Sequence, residues 1–277
     1  MAAPATAATS HPGDAKLLAA APDSTNLPWE KGSVAFGGFL TALNSTLAFG
    51  INNLGIAINA ENTFGLKTEL FEIRADALYR PGKTRRNQID FTYAGFHRNG
   101  SAVIGQDIEI GNVTIPAHAT VDTVFNFDLI RASYSYAFLQ DDRVRIAGGL
   151  GVYAVPLRYS VNARSSTNHY FVEAADCILP LPALALRGDF LLTKKVYLHS
   201  SIDLMYAQIG DFKGSLLDVN VAVEYRPWKH LGFGLGYSGF STDVEAHGKK
   251  SDYPEANFIG EVGVRYTGIQ LYGKFIF

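Results

Sequence analysis

The chain has 277 residues, with 24 Lys and Arg set against 26 Asp and Glu, and the cations are scattered rather than gathered into a stripe, which excludes a broad nucleic-acid footprint. Eighteen Phe, fourteen Tyr and 27 Gly beside only two Met favour many short strands over helices, in one large β domain or two smaller ones. The lone Cys177 excludes a disulfide framework or a cysteine metal site, and the longest apolar run, Ile178 to Leu186 with Pro180 and Pro182 inside it, is far short of the roughly 20 residues a membrane helix needs.

In chain order, Met1 to Asn26 is an Ala, Pro, Ser and Thr mixture with Pro4, Pro12 and Pro22, without the basic segment and unbroken apolar core of an export signal. Residues 1–32 therefore read as a flexible tail on a processed chain, and 33–277 as the folded domain. Ser33 to Ile51 is extended. Phe71, Ile73, Ala75, Ala77 and Tyr79 then alternate with Glu72, Arg74, Asp76, Leu78 and Arg80, the period-two signature of a strand. The pattern returns in Ile89, Phe91 and Tyr93, and in Ile130, Ala132, Tyr134, Tyr136 and Phe138. It continues in Val144 to Ala154, Leu184 to Leu192, Leu198 to Tyr206, Leu217 to Tyr225, Leu231 to Tyr237 and Asn257 to Phe277. Cys177 is expected in a loop.

Connections alternate between short and long. Pro81 to Arg86, Leu139 to Asp142, Thr193 to Lys195 and Pro227 to His230 are short. Asn52 to Thr68, Asn99 to Val121, Pro156 to Leu179, Ala207 to Gly214 and Ser241 to Ala256 are long. This asymmetry matches membrane barrels, with tight turns at one end and long loops at the other. A hairpin, Ile104 to Ile110 with Val113 to Thr120 around Gly111 and Asn112, is predicted within one long loop. The end segments could each be a hairpin or one strand. Read as single strands they close the barrel, Ser33 beside Phe277, and a matched kink or bulge near Asn44, Ser45, Tyr266 and Thr267 would explain why both lose their alternation there. The reading is an all-β, antiparallel up-and-down transmembrane barrel of about 10 strands, with 12 as the alternative.

One strand face is almost purely apolar and the other mixes small residues with charges of both signs, which suits lipid outside and a lumen inside. Tyr79, Tyr136, Phe138, Tyr225, Trp228, Phe275 and Phe277 are expected in an aromatic girdle at the short-turn end, and Phe71, Tyr206, Tyr237, Phe240 and Phe258 in one at the long-loop end. The lumen is predicted to hold Glu72, Asp76, Asp90, Asp128, Asp189, Asp203, Asp218, Glu224 and Glu261 with Arg74, Arg80, Arg131, Arg145, Arg187, Arg226, Arg265 and Lys274. So many opposed charges in a narrow bore should cross-brace it into a plug, since unpaired ones are costly to desolvate. An open pore would be porin-like and weakly selective. Gly232, Gly234, Gly236, Gly149 and Gly151 sit inside strands, not in phosphate loops, and should make room for arginines.

An enzyme is the competing class. His97, Asp122, Asp128, His169, Asp203, Asp243 and His247 supply acids and bases near the outer rim, and convergence of His97 or His169 with two carboxylates would favour a hydrolase. No serine sits in a nucleophile motif, so no catalytic residue is assigned. His118, His169 and His247 would have to converge from separate loops to hold a metal; no metal or cofactor is predicted. The long loops could instead serve a receptor or adhesin. Lys83, Arg85, Arg86, Lys194, Lys195 and Lys229 gather at the short turns, where they would meet phospholipid head groups or simply solubilise the turns.

The final strand, apolar at Ile269, Leu271, Phe275 and Phe277 around Gln270, Tyr272 and Lys274, resembles the closing strand of Gram-negative outer-membrane β-barrels. From Trp29 to Phe277, above all in Arg74 to Tyr93, Glu224 to Tyr237 and this strand, the chain resembles uncharacterised outer-membrane barrel proteins of proteobacteria. That resemblance implies insertion into the cell outer membrane by the barrel-assembly machinery through Ile269, Leu271, Phe275 and Phe277, with lipopolysaccharide and lipid as neighbours; the barrel itself is expected to be a monomer. It supplies no substrate.

Overall fold

The computed structural model describes residues 27–49, 58–110, 113–165, 169–210, 212–246 and 260–277. Ten antiparallel strands form a closed wall: β1 (Gly32–Phe49), β3 (Glu69–Tyr79), β4 (Asn87–Val103), β7 (Thr120–Gln140), β8 (Val144–Arg164), β9 (His169–Thr193), β10 (Val196–Ile209), β11 (Phe212–Tyr225), β12 (Leu231–Ala246) and β13 (Gly260–Ile276). A two-residue strand β2 (Ile58–Asn59) pairs with β1 and leads into a single-turn helix α1 (Ala60–Phe64), capped by the Asn59 side chain and ended by Gly65 in the left-handed region. β5 (Ile108–Ile110) and β6 (Val113–Ile115) form the small separate hairpin predicted around residues 111–112.

Each end segment is one strand, and β1 pairs with β13 to close the wall, so the count is ten rather than twelve. The register sets Ser33 opposite Ile276, one residue from the expected Phe277, and runs unbroken through Asn44↔Arg265 to Phe49↔Gly260. The expected bulge is therefore absent. Alternation fails at that height for another reason: the side chains keep their faces, but the faces exchange polarity.

Below that height the wall is apolar outside and polar inside. On β7, Ala132, Tyr134, Tyr136 and Phe138 are exposed while Arg131, Ser133 and Ser135 are buried. Above it, Phe125, Phe127 and Leu129 are buried on the inner face, and Asp122, Asn126 and Asp128 share the outward parity. β13 turns over likewise, with Ile269, Leu271 and Phe275 exposed low on the strand, but Val262, Val264 and Tyr266 buried and Arg265 exposed above. The outward apolar stretch Ile130 to Phe138 matches the roughly 9–11 tilted residues needed to cross a hydrocarbon core. Beyond it the strands form a barrel in water, where the inside must be apolar.

Much of what reads as long loop is this upper wall. β8 and β9 continue to Arg164 and from His169, and β10 and β11 to Ile209 and from Phe212. Cys177 lies in β9 opposite Leu157 rather than in a loop. Phe240 is buried inside at 3 % exposure, not in the outer girdle; Phe258 lies outside the described residues.

Candidate functional site

The lower lumen holds a continuous ionic network. Arg74 grips Asp76 with two hydrogen bonds, 2.9 and 3.0 Å, and donates a third to Asn220 across the barrel. Asp203 receives Arg131 at 2.8 Å and Arg187 at 2.9 Å, and Asp90 lies 3.7 Å from Arg187. Asp189 takes Arg80 at 2.7 Å, Arg145 at 3.1 Å and the His199 ring at 2.7 Å. Glu224 holds Arg226 and, at 3.0 Å, Lys274. Apart from Asp76, 38 % exposed, and His199, 20 % exposed, these side chains are almost wholly buried, so their charges depend on partners rather than on water. A cavity of about 150 Å³ remains among Arg74, Asp76, Arg187, His199, Tyr272 and Lys274. Glycines make the room: a Cβ on Gly232 would press on Arg226, and one on Gly234 would strike the Tyr272 ring, so only one of these two spaces is an arginine's.

Tyr153 joins this network to the upper lumen. Its hydroxyl lies 2.8 Å from Asp203 and 2.9 Å from Asp218, donating to one at a time, while its ring faces Phe240 at 6.3 Å. Above, Phe96 stacks on Phe127 at 4.5 Å and meets Tyr266 at 4.9 Å, and Tyr266 also contacts Phe39 and Phe240. Here the bore is a packed aromatic core, which the mixed-charge prediction missed. Helix α1 completes it with Ala60 and Phe64, and Glu61 pairs with Arg98 in the interior.

The short-turn end is closed by the chain itself. The predicted tail 1–32 needs correction at its end: Leu27 to Lys31 form a strap across the mouth, and residues 1–26 lie outside the described residues. Trp29 is fully buried against Tyr197, with its indole donating to the Asp141 carbonyl at 3.0 Å. Arg85 donates to the carbonyls of Trp29 and Leu27, and Tyr197 to that of Pro28. Glu30 is the ionic anchor, 2.9 Å from Lys274, 3.0 Å from Arg226 and 3.2 Å from Arg80. Burial pushes the Glu30 carboxyl up, but Lys274, Arg80 and Arg226 together override it and hold it well below the usual carboxylate range. Sequence composition hides this strap because one apolar Trp and one Glu follow a low-complexity stretch. The predicted lumen set gave no signal for it, since its nine carboxylates already outnumber its eight cations and leave no unmet cation to call for Glu30.

Not every residue predicted for the lumen lies there. Asp128 faces outward, accepting from the Tyr93 hydroxyl at 3.1 Å, and Arg265 is exposed and pairs with Asp243 at 3.3 Å. Both have lumen-type chemistry but outward parity, because they stand above the polarity exchange. Glu72 accepts the His97 backbone N–H at 3.3 Å, where β3 and β4 part above the Arg74↔Ala94 pair. The Glu261 side chain lies outside the described residues. So do the side chain of His169 and all of His247.

His97, Asp128 and Tyr93 do gather on the outer face, over Gly95, whose missing Cβ leaves them room. The His97 ring is nevertheless 4.0 Å from Asp128, beyond a hydrogen bond, and Glu72 is engaged by a backbone amide rather than by the ring. Two carboxylates stand near this histidine, but neither hydrogen-bonds its ring, as the hydrolase reading requires. Among the described residues no group of three or more metal-ligating side chains is placed to hold an ion.

A closed ten-strand antiparallel wall with an apolar outer band is the outer-membrane β-barrel fold. The outer-membrane protease OmpT of Escherichia coli superposes with a TM-score of 0.53 over 92% of this chain and 100% of its own, at 9% identity. The outer membrane protein OprG of Pseudomonas aeruginosa matches at TM-score 0.33 and 10% identity, over 91% of this chain and 99% of its own. The toluene transporter TodX of P. putida matches at 0.34 and 6%, over 91% and 90%. The OmpT likeness carries the fold and, at that identity, nothing about activity. No protein-family model matches the chain, and no curated protein matches it in sequence.

Proposed function

We propose that this chain is a monomeric outer-membrane protein of a Gram-negative bacterium, of the uncharacterised proteobacterial kind its sequence resembles. In this reading its barrel is a sealed structural scaffold that holds an extended outer rim, not a porin-like channel. The observation that carries the reading is the threefold filling of the bore: the Glu30 strap below, the ionic network in the middle and the aromatic core above. Ions would have to strip buried partners from the middle layer and then enter an apolar one, and both steps are costly. The short turns face the periplasm, Ile269, Leu271, Phe275 and Phe277 serve as the assembly signal, and lipopolysaccharide surrounds the upper edge of the apolar band.

Single-channel recording in planar bilayers tests this. The native protein is expected to be silent, and an Arg74→Ala, Arg187→Ala, Phe96→Ala variant to pass current. Steady native conductance would replace the scaffold with a pore.

A further inference from the structure

The mouth beside the strap is a pocket of about 570 Å³ between Leu27–Lys31 and the turns at 194–195 and 227–230. Four ammonium groups line it, Lys31, Lys194, Lys195 and Lys229, all exposed. Among the described residues none of the four has an ion pair; the Lys195 ammonium donates to the Pro227 carbonyl, at 3.4 Å. The one acidic side chain in the lining, Glu30, is 1 % exposed and already matched by Lys274, Arg226 and Arg80, so it cancels none of this charge. Neighbouring Trp228 and Phe277 are exposed at 63 % and 57 % on the apolar band, which sets the lysines at head-group height. The β7–β8 turn carries Asp141, Asp142 and Arg143, so positive charge is not a general property of this end.

We propose that this pocket binds the phosphodiester of an anionic phospholipid of the periplasmic leaflet, an assignment that rests on the outer-membrane reading above. Ammonium groups on flexible stems are suited to a phosphate as compact point charges, and they repel the cationic head of a zwitterionic lipid. The acyl chains then lie along Trp228 and the apolar wall, and the head group rests against the strap.

The experiment is to fold the full chain into phosphatidylcholine vesicles doped with phosphatidylglycerol, extract it gently, and count retained lipids by native mass spectrometry. Phosphatidylglycerol is expected to be enriched about tenfold in the native protein, and the enrichment to be abolished in Lys194→Gln, Lys195→Gln, Lys229→Gln. The control, Lys83→Gln with Arg143→Gln, should retain it. Equal enrichment in native and triple variant, or equal loss in the control, overturns the site. Displacement by inorganic phosphate at matched concentration would make it a free-anion site and overturn the lipid assignment. Failure to enter vesicles at all would sink the membrane reading itself, whereas entry without enrichment sinks only this inference.

Discussion

The two halves of this barrel solve opposite solvation problems with one continuous set of strands. In the lower half Leu235, Leu271 and Tyr134 face outward and Arg131, Asp203 and Lys274 inward. In the upper half Phe125, Phe127 and Tyr266 face inward while Asn126, Asp243 and Arg265 point out. No bulge marks the change on the β1–β13 seam, where the backbone pleat runs on and the residue types swap faces, whereas on the β8–β9 seam the register shifts between Leu157 and Tyr159. Lipid supplies the apolar environment below, and the bore must supply it above. The lower interior is thus free to be ionic, provided every charge is met.

The largest test of that difference is to break the charge balance below. Asp203→Ala leaves Arg131 and Arg187 without their shared carboxylate, and it should cost about 3–5 kcal/mol in the urea unfolding free energy of the vesicle-inserted protein. An unchanged midpoint would show that water in the lower bore replaces the partner.

Next, one cation can be moved along the outside of a strand. Leu235→Arg in the apolar band should cost roughly 2–4 kcal/mol, whereas Ser241→Arg, on the same face of β12 above the exchange, should cost about 0–1 kcal/mol. Equal costs would mean that the boundary has been drawn at the wrong height.

The strap gives a pH test limited to a single carboxyl. Because the folded pKa of Glu30 is depressed, the folded protein binds fewer protons on this group than the unfolded one. Its contribution is complete above the ordinary value of about 4.3, and declines as pH falls from there through the folded value. Trp29 fluorescence in a Trp228→Phe background should stay that of a buried indole from neutral pH to about 5 and report strap release only in stronger acid. Release between pH 5 and 7 would contradict the Glu30 anchor. The smallest effect belongs to the exposed upper pair: Arg265→Ala should change stability by about 0–1 kcal/mol, checked in the same urea titration.

How much was legible follows from where local pattern suffices. Alternation in β7 and β13 exposed the strands, the short turns paired them, and the mixed inner face of β3 and β4 pointed to ion pairs such as Arg74 with Asp76. Asp128 and Arg265 were misplaced because their chemistry suggested a lumen while their parity pointed outward. Counting by twos from Tyr134 puts Asp128 outside, and from Ile269 puts Arg265 there too. Leu27 to Lys31 carries no period at all, so nothing local distinguishes a strap from a tail.

The sequence by itself determined the barrel, its strand count within two readings, its lipid-facing band and the signs of the charges inside it, because those rest on period-two repetition and residue type. Only the tertiary structure decided that Glu30 meets Lys274 from the far end of the chain, that one aspartate serves two arginines, and that the bore turns apolar above Tyr153. Each depends on which strands stand opposite one another across the lumen, a relation set by closure of the wall and not by spacing along the chain.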